Sequence, residues 1–179
     1  VSPYGCSKLF SYHITRNYRK AHSLFAANGI LFNHESPRRG SNFVTSKIIK
    51  TAVQIKLGAA EELVLGNLDS FRDWGHAKDY VRAMHMILSH NRPDDFVVST
   101  GQTRSVRDFC DLVFRQLGLD YLKYVKQDPK FMRPEELPYL KGDSSKITSV
   151  LGWKPEITFE DMVAEMVEFW HKTLRNSRK

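Results

Sequence analysis

Segments with helical spacing alternate with short apolar runs along the 179-residue chain, and that alternation predicts an α/β fold. A hydrophobic fraction of 41% with 12% aromatic residues is enough to build a core, which excludes a disordered polymer. No internal repeat, low-complexity tract or linker interrupts the pattern. The length suits one domain with a substantial core, or part of a larger domain.

Taken in order, Ser2 and Pro3 read as an N-cap and a residue preset for the first helical position, and helical spacing follows through residue 18. Residues 24–31 are apolar and punctuated by Asn28-Gly29, so Gly29-Ile30-Leu31-Phe32 reads as a buried strand. Residues 33–42 read as a polar loop carrying Pro37 and Gly40. A helix is expected over 43–57, opening at Ser41 or Asn42, with Val44, Ile48, Val53 and Ile55 on its apolar side. Leu63-Val64-Leu65-Gly66 is a short strand. The next helix is expected over 74–88, capped by Asp73 and turning Tyr80, Val81, Met84 and Leu88 inward. Phe96-Val97-Val98 is another strand, and Ser105 caps a helix that reaches Leu117 and stops at Gly118. Residues 121–143 are irregular. A small helix over 144–151, a turn at Gly152-Trp153-Lys154-Pro155 and an amphipathic helix over 159–174 close the chain, the basic tail suiting the negative helix end. From about Ser105 onward the pattern reads as a smaller, mainly helical cap.

The formal charge of +7 admits nucleic acid, an acidic membrane surface or a small anionic ligand. Lysines and arginines are scattered, with no block of five or six, which ranks a phosphorylated small molecule above nucleic acid. Cys6 and Cys110 fall in separate helices, so no disulfide framework is expected and a reducing, cytoplasmic setting is the default. No apolar stretch approaches the ~18 residues that span a bilayer, so no membrane partner is expected. The seven histidines show no His-x-x-x-His and the cysteines no Cys-x-x-Cys, so no metal site is expected. The chain opens inside a helix-start signal without an initiating methionine, which suggests a fragment.

Four runs are candidates for chemistry. Tyr4 and Lys8 lie four apart on one helix face, where an ammonium favours the phenolate of a neighbouring tyrosine; the phenolate can then take a proton from a sugar or alcohol hydroxyl. The same spacing also fits a half-buried ring beside a surface lysine. Asn33-His34-Glu35-Ser36-Pro37-Arg38-Arg39-Gly40 follows a buried strand and precedes a helix N-terminus, the crevice where open α/β sheets bind ligands. Paired arginines beside free helix-end N–H groups suit phosphate or carboxylate, and a solvated basic loop is the alternative. In Arg72-Asp73-Trp74-Gly75-His76, capping and a buried ring account for Asp73 and Trp74 but leave Arg72 unexplained. Arg133-Pro134-Glu135-Glu136 sets a cation and a carboxylate about a proline, as for a phosphate and a ribose diol, or as in a plain surface turn. Leu151-Gly152-Trp153-Lys154-Pro155 reads as structural.

Together these runs resemble the C-terminal half of the GDP-mannose 4,6-dehydratases, which are extended short-chain dehydrogenase/reductases. Ser-Pro-Tyr-Gly-x-x-Lys, Asn-Gly-Ile-Leu-Phe-Asn-His-Glu-Ser-Pro-Arg-Arg-Gly, Arg-Asp-Trp-Gly-His-Ala-Lys-Asp-Tyr-Val, Arg-Pro-x-Glu and Leu-Gly-Trp-Lys-Pro occur in family order over essentially the whole chain. The resemblance implies the C-terminal part of a Rossmann-like domain with interleaved substrate-binding segments over 1–104, and mainly a substrate-binding cap over 105–179. It implies Tyr4 as the base for the mannose 4-hydroxyl, and Lys8 as the group that acidifies Tyr4 and holds the nicotinamide ribose. His34 and Arg39 match NADP-contacting positions. Arg38 and Arg39 match a loop that reaches a neighbouring subunit, implying a homo-oligomer, a tetramer or a dimer. Asn33, Lys47, Arg72, Arg133 and Glu136 match positions that bind the GDP-sugar: Arg72 and Arg133 at the diphosphate end, Glu136 at a ribose. The implied reaction oxidises C4, eliminates water across C5 and C6, and returns hydride to C6, giving the 4-keto-6-deoxy sugar that leads to GDP-fucose.

Two departures accompany the resemblance. The Gly-rich phosphate turn, and the Ser/Thr and Glu of the elimination step, belong to an N-terminal half outside these residues. The connection between Leu117 and Asp128 is shorter than in many members, and Met132 stands where an aromatic ring is common. A dehydratase or epimerase on another nucleotide sugar, such as a GDP-heptose, and a non-catalytic nucleotide-sugar binding module are the alternative readings.

Overall fold

The computed structural model describes residues 2–132 and 136–177. Helix α1 (Pro3–His22) starts as its sequence dictates: the Ser2 hydroxyl accepts from the Gly5 N–H at 3.0 Å and Pro3 occupies the first turn. None of its residues is buried. The helix is instead held by polar contacts near its C-terminal end. Arg19 donates to both carboxylate oxygens of Asp95 at 2.9 Å and to the Ala26 carbonyl, while Asn28 donates to the Tyr12 carbonyl. Burial alone would raise the Asp95 carboxyl, but hydrogen bonds from Arg19 and Asn28 outweigh it and leave the group below its ordinary range. A carboxyl lowered by folding adds stability above its unfolded pKa, near ~4, and that contribution fades as pH falls through the folded value. Acid titration of wild type against Asp95→Asn checks this: the stability gap between them should narrow as pH falls beneath the ordinary carboxylate range.

Strand β1 (Asn28–Leu31) runs parallel to β6 (Asp95–Val98), with Asn28 opposite Asp95 and Leu31 opposite Val98. Helices α3 (Ala77–Leu88) and α6 (Ser145–Leu151) pack here around Tyr80, Ala83, Ile87, Phe96, Val98, Ile147 and Trp153, the smaller core. The Trp153 indole N–H donates to the Asp79 carbonyl at 2.9 Å, so the ring can be fully buried with its one donor satisfied. The larger core is helical. Helices α2 (Val44–Lys56), α4 (Val106–Gln116) and α7 (Phe159–Asn176) interleave Ile48, Ile49, Val53, Phe109, Val113, Phe114, Met162 and Met166 over strand β3 (Leu63–Leu65). Helix α4 begins with a reciprocal cap: Ser105 accepts from the Asp108 N–H and Asp108 accepts from the Ser105 N–H. It ends at Leu117, and Gly118 takes the left-handed φ of +68° that a glycine enters without Cβ strain.

Three further ladders complete the sheet structure. β2 (Asn33–Glu35) pairs in parallel with β5 (Trp74–His76), β3 with β8 (Val125–Gln127), and β4 (Phe71–Arg72) antiparallel with β7 (Arg104–Ser105). A short helix, α5 (Tyr121–Tyr124), leads into β8.

Several expectations are corrected. Asn33 to Glu35 is a strand, not loop, because its backbone groups find partners on β5. Trp74 belongs to that same ladder, so α3 starts only at Ala77. Its cap is His76, whose Nδ1 accepts from the Lys78 N–H at 3.1 Å, and not Asp73. The inward face of α3 is Tyr80, Ala83 and Ile87; Val81, Met84 and Leu88 are exposed. Both sets have helical spacing, and small Ala83 fits against the sheet where the bulkier set would not. Val44 at the start of α2 is exposed, while Ile48, Val53 and Ile55 are buried as expected. Phe43 takes the N-cap position of α2 without a side-chain hydrogen bond, in place of Ser41 or Asn42. The irregular stretch contains α5 and β8.

Candidate functional site

The register of β2 on β5 sets Asn33 beside Trp74, His34 beside Gly75 and Glu35 beside His76. Two runs forty residues apart in the chain thereby become neighbours along one ladder. A Cβ on Gly75 would stand 2.6 Å from the Tyr80 ring, so the glycine lets Tyr80 lie flat under the ladder, where it stacks on His34 with centroids 4.8 Å apart. The His34 Nδ1 lies 2.8 Å from the Phe32 carbonyl. A carbonyl only accepts, so Nδ1 carries the proton and Nε2 remains as an acceptor.

Past Glu35 the chain turns through Pro37 and delivers two arginines in different states. Arg38 is exposed. Arg39 is half-buried: its Nε lies 3.1 Å from a Glu35 oxygen, and its guanidinium carbon 3.5 Å above the centroid of the Phe43 ring. On α2 one turn further, Lys47 donates to the Val64 carbonyl at 2.7 Å and sits 4.7 Å from the Phe131 ring. The 128–132 segment is pressed onto this end of β3, the Asp128 N–H donating to the Leu65 carbonyl.

Strand β4 presents Arg72. Its Nη2 donates to Glu136 at 3.1 Å and its Nη1 to the Phe71 and Leu137 carbonyls, while the Ser70 hydroxyl donates to the same Glu136 oxygen at 3.3 Å. Arg72 and Glu136, expected to serve one ligand from distant parts of the sequence, are thus in contact. Backbone hydrogen bonds join their two segments, from the Phe71 N–H to the Pro138 carbonyl and from the Leu140 N–H to the Phe71 carbonyl, and Asp73 anchors the chain beside them. Fully buried, it accepts from the Thr100 N–H and hydroxyl, the Gly101 N–H and the Gly142 N–H at 2.6–3.3 Å. Gly142 comes this close only without a side chain, since a Cβ there would stand 2.3 Å from that of Ser99.

Tyr4 and Lys8 are neighbours as their spacing requires, with the ammonium 5.4 Å from the ring centroid. Tyr4 is 71% exposed. Among the described residues no hydrogen bond, ion pair or ring contact joins either of them to His34, Arg38, Arg39 or Lys47. Arg133 lies outside the described residues. No group of three or more His, Cys, Asp or Glu among the described residues is placed to hold a metal. No helix among them is long and apolar enough to cross a membrane. A cavity of ≈ 330 Å³ lined by Trp74, Thr100, Gln102, Arg104, Pro155 and Phe159 contains none of the expected site residues.

Three polar groups escaped sequence reasoning: Asp73 as an anchor, Glu35 as the partner of Arg39, and the contact of His76 Nε2 with Glu165 at 2.7 Å that ties α3 to α7. Asp73 and His76 act on segments far along the chain, while Glu35 and Arg39 lie only four apart in a run that reads as loop.

A family model described as GDP-mannose 4,6 dehydratase matches residues 1–166. The chain belongs to the GDP-mannose 4,6 dehydratase family. Curated members it resembles include GDP-mannose 4,6 dehydratase 2 of Arabidopsis thaliana, 52% identical over 167 residues, and the Homo sapiens GDP-mannose 4,6 dehydratase, 47% identical over 183. Each alignment covers 93% of this chain, but only 45% and 49% of the respective relative. The chain therefore spans about half the length of these GDP-mannose 4,6 dehydratases. In fold it is similar to RMD from Pseudomonas aeruginosa complexed with NADPH, at TM-score 0.89 and 24% identity over 97% of this chain and 57% of that one. It is likewise similar to dTDP-glucose 4,6-dehydratase from Bacillus anthracis in complex with NAD, at 0.85 and 20% over 98% and 54%. The α/β architecture is that of the C-terminal part of a Rossmann-like extended short-chain dehydrogenase/reductase, as the family resemblance implied.

Proposed function

We propose that the chain is the substrate-binding half of an NADP-dependent GDP-mannose 4,6-dehydratase, and that it carries the first catalytic base. The observation that supports this most is the contact of Arg72 with Glu136 on one edge, beside the Asp73 anchor and next in the chain to β5, whose ladder pairs Gly75 with His34. A cation and a carboxylate held together suit a nucleoside diphosphate: the guanidinium for phosphate oxygens, the carboxylate for a ribose diol. In this reading Asn33, Lys47, Arg72, Arg133 and Glu136 bind the GDP-sugar. Residues 1–104 are mainly the Rossmann-like part and residues 105–179 mainly the cap. The Arg38-Arg39 loop reaches a second subunit of a homo-oligomer, a tetramer or a dimer, in the cytoplasm.

The polar groups, donors and one acceptor, fit NADP. Arg39 keeps two terminal guanidinium nitrogens without a protein acceptor among the described residues, His34 keeps Nε2, and Lys8 offers an ammonium near a phenol. Held by Arg39, His34 and Lys8, NADP would supply the hydride chemistry at C4 and C6. The chain's own residues do the rest of the first step: Tyr4 takes the proton of the 4-hydroxyl, Lys8 stabilises the phenolate and orients the ribose, and the Arg72 edge fixes the diphosphate so that C4 meets Tyr4. Oxidation at C4 acidifies the C5 proton, and water then leaves across C5 and C6.

One observation favours a narrower reading for the chain on its own. Tyr4 stands exposed and apart from the arginine edge, as in a nucleotide-sugar binding module that lacks a complete active site. Calorimetry separates the two. The dehydratase half is expected to bind GDP, and Arg72→Gln to weaken that binding at least tenfold, the equivalent of about 1.5–3 kcal/mol for a charged hydrogen bond. An unchanged titration overturns the assignment of Arg72. GDP binding with no response to NADP supports the module. Product assays with GDP-mannose and a GDP-heptose in an active enzyme containing this chain decide the sugar.

A further inference from the structure

Among the arginines of the candidate site, Arg39 is held in an unusual way. Its Nε faces the Glu35 carboxylate at 3.1 Å, a charge contact rather than an aligned hydrogen bond. Its guanidinium plane is seated 3.5 Å from the centre of the Phe43 ring, and its own carbonyl accepts from the Ser46 hydroxyl at 3.0 Å. Cation, aromatic face and backbone are thus fixed, while the outer Nη1–Nη2 edge has no protein acceptor among the described residues. Arg72 differs, since both of its terminal nitrogens already donate to protein oxygens.

Glu35 is the key to this arrangement. It is 1% exposed, and one of its oxygens accepts from the Thr45 hydroxyl at 2.6 Å in the first turn of α2. A neutral glutamine would satisfy that hydroxyl equally well. Burying a carboxylate is unfavourable unless a cation compensates it, and among the described residues the cation in contact is Arg39. We propose that Glu35 is a positioning residue: it splints Arg39 so that the two outer nitrogens form a preset, bidentate receptor for a phosphate of the dinucleotide. The proposal rests on the assignment of Arg39 to NADP. Burial raises the Glu35 carboxyl, against the lowering pull of the Thr45 hydroxyl and the Arg39 charge, so replacing it with glutamine removes no large source of stability.

The sign of one measurement tests the idea. On charge alone, neutralising Glu35 makes its surroundings more positive and tightens anion binding. A splint predicts the opposite, because a loosened arginine must be immobilised again by the ligand. Calorimetry of the full chain with inorganic pyrophosphate and with NADP is expected to show Glu35→Gln weakening both roughly three- to tenfold, with an unshifted thermal melt. Glu35→Asp, which keeps the charge but shortens the reach, is expected to weaken both as well, and carries the test alone should the glutamine variant not fold. In an Arg39→Lys background, which lacks the planar edge, Glu35→Gln should change nothing further. Affinity that is unchanged or tighter in both position-35 variants overturns the positioning role while leaving Arg39 assigned. If the wild-type chain binds neither probe, the assignment of Arg39 fails, and the proposal with it.

Discussion

Tyr4→Phe, in an active dehydratase containing this chain, is expected to lower formation of the 4-keto-6-deoxy sugar about a thousandfold, inside the ~10²–10⁴ range that a general base supplies. GDP-mannose should still bind with unchanged affinity. The side chain is 71% exposed, so trimming one oxygen removes no packing and leaves the helix intact. The loss should therefore appear in kcat and not in a binding titration. Single-turnover assays with matched calorimetry make the comparison, and ordinary turnover by the phenylalanine variant would falsify the assignment of Tyr4 as base.

Asp73→Ala should be the most destabilising single change at the site. Three backbone N–H groups and a hydroxyl lose their acceptor at once, and each orphaned donor in the interior costs roughly 1–3 kcal/mol. With partial relaxation the total is about 4 kcal/mol, a large share of the ~5–15 kcal/mol that keeps a domain folded. Urea unfolding would report it as a lower midpoint. Asp73→Asn keeps one oxygen acceptor and should recover part of the loss. A shift under about 1 kcal/mol in the alanine variant would mean that water replaces the carboxylate.

How much of this was legible beforehand differs by element. Helix α4 was readable nearly to the residue, because its cap is local: Ser105 and Asp108 lie three apart and bond each other, and Gly118 supplies the turn that follows. Helix α3 was readable in extent but not in phase. Val81, Met84 and Leu88 share the spacing of Tyr80, Ala83 and Ile87, and only the sheet it packs on decides between them. Strands β2 and β5 were misread, one as loop and one as helix, since a three-residue ladder depends on a partner forty residues away. At the site, residue types raise the expectation of an anion-binding surface, but the pairing of Arg72 with Glu136 is a long-range contact with no local signature. Asp73 was seen as a helix cap because short acidic residues before a helical run usually are caps. Here the acceptor was recruited by Thr100, Gly101 and Gly142 instead.

The attachment of α1 has a mechanical consequence. The tether nearest its free end, Asn28 on the Tyr12 carbonyl, lies eight residues from Tyr4, which at about 1.5 Å per residue makes an arm of roughly 12 Å. A tilt of about 10° at the fulcrum swings the phenol by some 2 Å, and misplacement of about 1 Å already slows reactions roughly a hundredfold. In the proposed dehydratase, Asp95, which holds both Arg19 and Asn28, would thus govern the speed of chemistry at the free tip of the lever.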